Sequence, residues 1–141
     1  MLIDKLLFSD KIPTLMKKTL DFSSSRHLLI TMNVANADTP GYKAHDIDFQ
    51  SQLREVISTD GQLSMTKTNE RHFGPSNDAI KALEPQPFEE TQASKSNGNN
   101  VDMDKEMVKM AENQIRFNAI IQLMMKRGSS IKSAITELTQ G

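Results

Sequence analysis

The chain has 141 residues, of which 37% are hydrophobic and 5% aromatic, and it contains neither Trp nor Cys. Its 17 basic and 18 acidic residues leave a formal net charge of −1, so a basic surface for nucleic acid is not expected. The absence of Cys excludes a disulfide framework and any metal site built on thiolates. Because the apolar content lies below the ~45–50% of an average domain, we expect one thin core and burial partly supplied by a partner.

The first ten residues, MLIDKLLFSD, form an apolar run that Asp4 and Lys5 interrupt. A secretory signal needs ~7–15 consecutive apolar residues and a small-residue cleavage site, so no cleaved signal peptide is predicted. No stretch approaches the ~18 apolar residues of a membrane-spanning helix. Any export is therefore expected to use a route without a cleaved signal.

A long N-terminal helix is predicted within residues 1–39, with Asp10 as a candidate cap and Pro13 in its first turn. Its apolar residues form two neighbouring stripes, so its apolar face is broad. One stripe contains Leu15, Phe22, Leu29 and Met32, and the other contains Met16, Leu20, Ile30 and Val34.

The sequence NVANADTPGYK, residues 33–43, is predicted to end this helix, and we call it the joint. Pro40 disfavours helical geometry at Thr39, and Gly41 permits the positive φ that a reversal after Pro needs. Asn33 and Asn36 lie on one face of the last turn, where their amides can bond exposed carbonyls or a neighbouring backbone. Local physics alone favours an ordinary helix stop over a specialised polar hinge. The candidate hinge residues are Asn33, Asn36, Asp38, Thr39, Pro40, Gly41, Tyr42 and Lys43.

Residues 40–100 are predicted to form a small, irregular and β-containing lobe that is partly flexible. The stretch DIDFQSQLREVIS favours a short helix through Phe49, Leu53 and Val56, whereas GQLSMTKT alternates with the period of a strand. Residues 73–100 contain three prolines and a polar run, and this composition predicts a loop.

A second long helix is predicted to begin near Asp102, within residues 101–141. Asn100 or Asp102 can cap it, and Asp104 and Glu106 place carboxylates in its first turns, where they favour the positive end of the helix dipole. The weak helix formers at 128–130 mark a weak spot, but we expect the helix to continue through them.

Apolar residues of this second helix recur at steps of three and four and form a heptad seam, interrupted at Gln114 and Gly128. The seam predicts an antiparallel, coiled-coil-like pair with the N-terminal helix, in a mainly α fold. The length of the seam and the low aromatic content favour assembly with other subunits. The alternative is a plain intramolecular hairpin core. The residues predicted for packing or assembly are Leu15, Phe22, Leu29, Met107, Met110, Phe117, Ile121, Met124, Ile131, Ile135 and Leu138.

Catalysis is not predicted. Ser129 and Lys132 have the Ser-x-x-Lys spacing of some acyl-transfer enzymes, but the accompanying motifs are missing. His45, Asp46 and Asp48 are possible metal ligands, yet no second cluster completes a coordination shell. A Gly-rich phosphate loop is also missing. We therefore expect no catalytic residue, cofactor, metal or small-molecule substrate.

The string NVANADTPGYKAHDIDF closely resembles the signature that ends the N-terminal helix of bacterial flagellar rod and hook proteins. That signature is Asn-x-x-Asn followed by a Thr-Pro-Gly-Tyr turn. The opening GNNVDMDKEM of the second helix fits the same family, so the resemblance spans roughly residues 10–49 and 97–138. Val34 departs from the more frequent Ile without changing the apolar character.

The resemblance implies a structural subunit of the proximal rod of the flagellar basal body. Such subunits pass unfolded through the flagellar type III export apparatus, polymerise in the periplasm through paired terminal helices and transmit torque from the membrane ring to the rod and hook. The implied partners are other rod subunits, the rod-to-ring adaptor and the membrane ring. The alternative is a cytosolic helical adaptor or export chaperone that binds one partner helix through the heptad seam.

Overall fold

The computed structural model describes residues 11–60, 77–91 and 95–139. Within them, two shorter helices and a two-stranded antiparallel sheet lie between two long helices in chain order. In chain order the elements are α1 (Lys11–Ala35), β1 (His45–Asp46), α2 (Phe49–Asp60), α3 (Asn77–Ala82), β2 (Phe88–Glu89) and α4 (Met103–Thr139). The predicted mainly α class is confirmed, since α1 and α4 pack on each other beside the small sheet. None of the described helices combines the length and the apolar character needed to cross a bilayer.

Two hydrogen bonds fix the direction and register of the helix pair. Asn113 Nδ2 donates to the backbone oxygen of Ser23 at 2.8 Å, and Asn33 Nδ2 donates to Glu106 Oε2 at 2.8 Å. Later residues of α1 therefore pair with earlier residues of α4. The long helices are antiparallel, as the sequence predicted.

Two buried residues of α4, Glu106 and Asn113, lie next to predicted seam positions and not in the predicted seam itself. Met110, Phe117 and Ile131 are half-buried, whereas Met107 and Ile135 are 53% and 54% exposed. The residues of α4 that are buried or half-buried from Glu106 to Ile131 are Glu106, Lys109, Met110, Asn113, Phe117, Ile120, Ile121, Arg127 and Ile131. An apolar pattern does not include Glu106 and Asn113. These two polar side chains can be buried because hydrogen bonds satisfy them. The side chain of Leu138 lies outside the described residues.

Both ends of the joint follow the predicted local chemistry. Helix α1 ends at Ala35, and the following turn is closed by a hydrogen bond from the Thr39 backbone N–H to the Asn36 oxygen at 3.0 Å. Gly41 adopts a φ of 73°, a left-handed conformation that a Cβ atom disfavours. The predicted reversal after Pro40 is confirmed.

Helix α4 begins next to Asp102, the residue predicted to cap it. Asp102 Oδ1 accepts hydrogen bonds from the backbone N–H groups of Asp104 at 3.1 Å and Lys105 at 3.4 Å. The helix then continues through Gly128 to Thr139, so the predicted continuity is confirmed.

The prediction for the lobe is only partly right. Helix α2 is confirmed, and Asp48 caps it through the Ser51 backbone N–H at 3.1 Å. The assignment of residues 73–100 to a loop is wrong for α3 and β2. Ile80 anchors α3 because its side chain is only 3% exposed, and β2 is held by pairing with β1. The predicted strand in GQLSMTKT lies outside the described residues.

Substitution by Ala is expected to change the free energy of unfolding in opposite directions at Gly41 and Gly128. A Cβ at either position would meet no atom within 4 Å, so only backbone geometry distinguishes them. Gly128→Ala should raise the free energy of unfolding by about 1 kcal/mol, because Ala is the better helix former. Gly41→Ala should lower it by roughly 1–2 kcal/mol, because of its positive φ. Urea unfolding followed by circular dichroism measures both, and changes of the same sign would contradict this account.

Candidate functional site

Asn33 lies at the centre of the joint and is completely buried. Its Nδ2 donates to the backbone oxygen of His45 and to Glu106 Oε2, both at 2.8 Å. Its Oδ1 accepts from the His45 backbone N–H at 3.1 Å and from the Tyr42 hydroxyl at 3.2 Å. Burial, together with the Glu106 charge, raises the pKa of Tyr42, so the hydroxyl keeps the proton that it donates. All four hydrogen-bonding positions of the amide are thereby used.

Asn36 has a different, local role at the surface. Its Nδ2 donates to the Met32 backbone oxygen at 2.9 Å, and its Oδ1 accepts from the Thr39 hydroxyl at 3.2 Å. These bonds satisfy groups that the end of α1 leaves without helical partners. Asp38 and Pro40 are exposed on the same turn.

Asn99 ties the segment before α4 to the end of α1. Its side chain is completely buried, and its Nδ2 donates to the backbone oxygens of Asn36 at 2.9 Å and Thr39 at 2.8 Å. Its Oδ1 accepts from the Val101 backbone N–H at 2.7 Å. One amide therefore joins the two ends of the lobe, where the chain leaves α1 and where it enters α4.

Asn100 links the two strands of the small sheet, as Asn99 links the two ends of the lobe. Its Oδ1 accepts from the Ala44 backbone N–H at 2.7 Å, and its Nδ2 donates to the Glu90 backbone oxygen at 2.6 Å. It thus bridges the residues that flank β1 and β2. From the sequence, Asn100 was predicted only as a possible helix cap, and this contact was not predicted.

Two glycines allow the joint and the segment before α4 to approach each other closely. Gly41 and Gly98 both have positive φ, at 73° and 80°, and a Cβ on Gly98 would lie 3.5 Å from the Gly41 Cα. The Gly41 backbone N–H donates to the Asn97 oxygen at 3.0 Å. Two left-handed turns in contact give the chain one path out of α1 and one path into α4.

A cluster of five charged side chains, which we call the ionic cluster, lies beside the joint. Arg26 of α1 binds Asp46 of β1 through two hydrogen bonds of 2.6 and 2.7 Å. Lys109 of α4 binds Glu90, lies 2.6 Å from Glu106 Oε1 and lies 3.8 Å from Asp46 Oδ2. Because Glu106 also accepts from Asn33, the ionic cluster and the joint form one continuous network.

The pKa values of Asp46 and Lys109 in the ionic cluster favour their ionised forms. Burial opposes the charge of Asp46, but hydrogen bonds from Arg26 and the Ile47 backbone N–H, with the Lys109 charge, hold its pKa below the ordinary value. Burial also opposes the charge of Lys109, yet hydrogen bonds to Glu106 and Glu90 raise its pKa. Charge-assisted hydrogen bonds therefore outweigh the loss of water.

A cavity of about 310 Å³ lies next to the ionic cluster, between α1, α4 and the corner at residues 46–50. Phe22 and Phe49 pack at 4.7 Å between ring centroids on its apolar side, and Phe88 is half exposed at it. Its charged lining groups include both acids and bases, so it has no preference for one ligand charge. Among the residues that the structure describes, no three His, Asp or Glu side chains are arranged to hold a metal ion.

The structure brings most of the predicted joint residues together around Asn33 and adds residues that the sequence did not assign to the joint. Asn33, Asn36, Thr39, Gly41 and Tyr42 take part in the network, and Lys43 is half-buried beside it. The added network residues are Arg26, Asp46, Glu90, Asn97, Asn99, Asn100, Glu106 and Lys109. The one available signal was the tripeptide GNN before α4, in which a Gly and two Asn residues indicate a specific turn.

Large apolar side chains remain exposed along the outer surfaces of both long helices. Leu28 of α1 is 62% exposed, and Ile115 of α4 is 69% exposed. Each lies two residues from a buried residue, Ile30 or Asn113, so each projects from the side of its helix that faces away from the pair. Other exposed apolar residues of the two helices are Ile12, Met32, Met103, Met107, Val108, Leu123, Met124, Met125 and Ile135.

Comparison with characterised proteins gives one consistent result. The chain is 37% identical to the flagellar basal body rod protein FlgB of Bacillus subtilis, over 92% of this chain and 96% of that protein. It is 30% identical to proteins of the same name from Salmonella typhimurium, over 89% and 91% of the two chains, and from Escherichia coli K12, over 99% of each. No protein-family model matches the chain.

The partly buried Arg26–Asp46 pair predicts a loss of stability in acid. The pKa of Asp46 is lower in the folded state, so its contribution is present above the unfolded pKa of about 3.9 and is lost as the pH falls through the folded value. Asp46→Asn should therefore cost about 1.5–3 kcal/mol at pH 7, the scale of a hydrogen bond to a charged group. The difference from the wild type should shrink towards pH 3.

Urea unfolding at pH 7 and pH 3 measures this difference. Asp38→Asn is the matched control, because Asp38 is an exposed carboxylate of the neighbouring turn and its loss should change little. An equal cost for Asp46→Asn at both pH values would show that the charge of Asp46 is not what stabilises the fold.

Proposed function

Because the chain belongs to the FlgB family of flagellar basal body rod proteins, we propose that it is a structural subunit of the proximal rod that polymerises through its terminal helices. The family assignment makes the chain a component of the flagellar basal body rod. Its place in the proximal part of the rod, its mode of polymerisation and its role in torque transmission are the proposal.

The observation that carries the proposal is the apolar outer surface on both sides of the helix pair. Leu28 projects from the α1 side and Ile115 from the α4 side, each more than half exposed. Apolar patches of this kind mark interaction sites on soluble proteins. Since the two patches are different and lie on opposite sides, one subunit can contact a neighbour with each, and such head-to-tail contacts generate rings or helical filaments.

The joint supports the mechanical part of the proposal. Asn33 and Asn99 are fully buried and hydrogen-bonded to the backbones of His45 and Asn36, and the Arg26–Asp46 pair adds two charge-assisted bonds. A satisfied buried network has few alternative arrangements, so the lobe is held in one direction relative to the helix pair. A subunit that transmits torque needs this kind of stiffness.

The location and partners of the chain are proposed from the family. We expect export through the flagellar type III apparatus without a cleaved signal, followed by assembly in the periplasm. The expected neighbours are other rod subunits, the rod-to-ring adaptor and the membrane ring. Enzymatic activity is not part of the proposal.

The joint provides the test of assembly. Gly41→Val forces a β-branched side chain into a positive φ at a cost of roughly 1–2 kcal/mol, while nothing within 4 Å of its Cβ would clash. We expect a protein that is still made, exported and helical, but that fails to form rods and does not support motility. Swimming assays, detection of exported protein and isolation of basal bodies measure these steps separately.

Asn36→Ala is the milder companion variant. It removes a surface contact of ~0.5–1.5 kcal/mol and leaves the backbone path of the joint intact, so motility should be largely retained. Normal rods and swimming with Gly41→Val would refute the role of the joint in assembly. Recovery of the wild-type protein only in the cytosolic fraction, and never with basal bodies, would instead support an adaptor or export chaperone.

A further inference from the structure

Asn97 and Gly98 form the only Asn-Gly pair in the sequence. An asparagine followed by glycine is especially prone to spontaneous loss of its side-chain amide, because glycine lacks the Cβ that would hinder the reacting backbone nitrogen. Both residues belong to the segment before α4, and the Asn97 side chain is exposed to solvent. A chemically reactive pair therefore lies directly against the joint.

The reaction requires no partner other than water. The backbone nitrogen of Gly98 attacks Asn97 Cγ and closes a five-membered imide, while the Gly98 proton leaves with the side-chain NH₂ as ammonia. Water then opens the imide at one of its two carbonyl carbons. Attack at Cγ gives aspartate at residue 97. Attack at the main-chain carbonyl carbon gives isoaspartate, in which the chain runs through Cβ and Cγ and the former main-chain carbonyl becomes a carboxylate.

Hydrogen bonds of the folded chain engage both reacting groups. The Gly98 backbone N–H donates to the Lys95 oxygen at 2.9 Å, and Asn97 Oδ1 accepts from the Asn99 backbone N–H at 3.1 Å. The Asn97 backbone oxygen accepts from the Gly41 N–H at 3.0 Å. Ring closure removes the Gly98 proton and turns the Asn97 side chain, so these bonds must open first. The reaction in folded protein therefore depends on local opening of the joint.

The contacts around residue 97 also depend on the normal length of its backbone. Isoaspartate inserts one carbon atom between the acceptor for the Gly41 N–H and the left-handed turn at Gly98. It thereby displaces Asn99, whose buried amide bonds the backbone oxygens of Asn36 and Thr39. Ordinary aspartate keeps the backbone length and retains an oxygen acceptor for the Asn99 N–H.

We propose that Asn97 is a deamidation site that folding of the joint protects, and that its isoaspartate product prevents the joint from closing. The site reacts in chains that stay unfolded and remains intact in chains whose joint has formed. Conversion to aspartate is compatible with the folded joint, whereas conversion to isoaspartate is not. The inference concerns a single chain and is independent of rod assembly.

Conversion rates at residue 97 test the protection. Purified protein is incubated at mildly alkaline pH, either folded or unfolded in urea, and the products are quantified by peptide mapping with mass spectrometry. Folded protein should react at least about tenfold more slowly, because only the locally opened fraction can react. Gly98→Ala should slow the reaction in urea, since its Cβ hinders the attacking nitrogen.

Two Ala substitutions test whether opening of the joint controls the rate. Gly41→Ala places a Cβ at a positive φ, so it should raise the rate in folded protein by about fivefold or more and leave the rate in urea unchanged. Gly128→Ala is the matched control, because Gly128 lies within α4 and far along the chain from the joint. It should raise neither rate.

Hydrogen exchange tests the effect of the product. The isoaspartate form is isolated from urea-treated protein, returned to native buffer and compared with Asn97→Asp refolded from urea. The Gly41 backbone amide should exchange about tenfold faster or more in the isoaspartate form, whereas Asn97→Asp should match the wild type.

Three results would overturn the proposal: equal conversion rates in folded and unfolded protein, no acceleration by Gly41→Ala, or unchanged protection of Gly41 in the isoaspartate form. Because every measurement uses the isolated chain, these results are separate from any failure of rod assembly.

Discussion

The hydrogen bonds of Asn33 are the interaction on which the arrangement of this protein depends. This one buried amide joins the end of α1 to the segment around β1 and to Glu106 in the first turns of α4. The three segments are far apart in sequence, and few apolar contacts hold them here, since the nearby apolar cluster consists of Ala37, Ala44 and Val101. A thin apolar core is compatible with a defined structure because the joint is built from directional polar contacts.

The polar character of the joint has a consequence for specificity. Apolar packing tolerates a shift of one helix past the other, whereas a buried amide or carboxylate left without its partner is costly. Glu106 and Asn113 occupy inner positions of α4 and each finds one partner on α1. They therefore fix the register of the pair, as polar residues in the seams of coiled coils do. For a rod subunit, one register means one relative placement of the outer apolar faces.

The sequence was most informative where local chemistry decides the structure. Pro40 and Gly41, the Asp102 cap and the helix at Phe49 required only rules that act within a few residues, and they were predicted correctly. The burial of Glu106 and Asn113 was not predicted, because it depends on partners more than 70 residues away. A β-containing lobe was predicted correctly, but the positions of β1 and β2 were not, since two-residue strands have no pattern of their own and exist through pairing.

The joint itself could be located from the sequence, but its partners could not. NVANADTPGYK marks the place, yet nothing in it specifies Asn99 and Asn100 as the groups that close it. The ionic cluster has no sequence signature, because Arg26, Asp46 and Lys109 belong to three separate elements. Family resemblance singled out the motif, and the structure shows the contacts that its residues make.

The exchange rate of the His45 backbone amide in an Asn33→Ala variant is the most direct test of the central role of Asn33. That amide donates to Asn33 Oδ1, so it reports on this contact without depending on rod assembly. Hydrogen exchange measured by NMR should show faster exchange at residues 42–47 in Asn33→Ala, little change in the middle of α1, and no change at 42–47 in Asn36→Ala. Unchanged protection of His45 in Asn33→Ala would contradict the account.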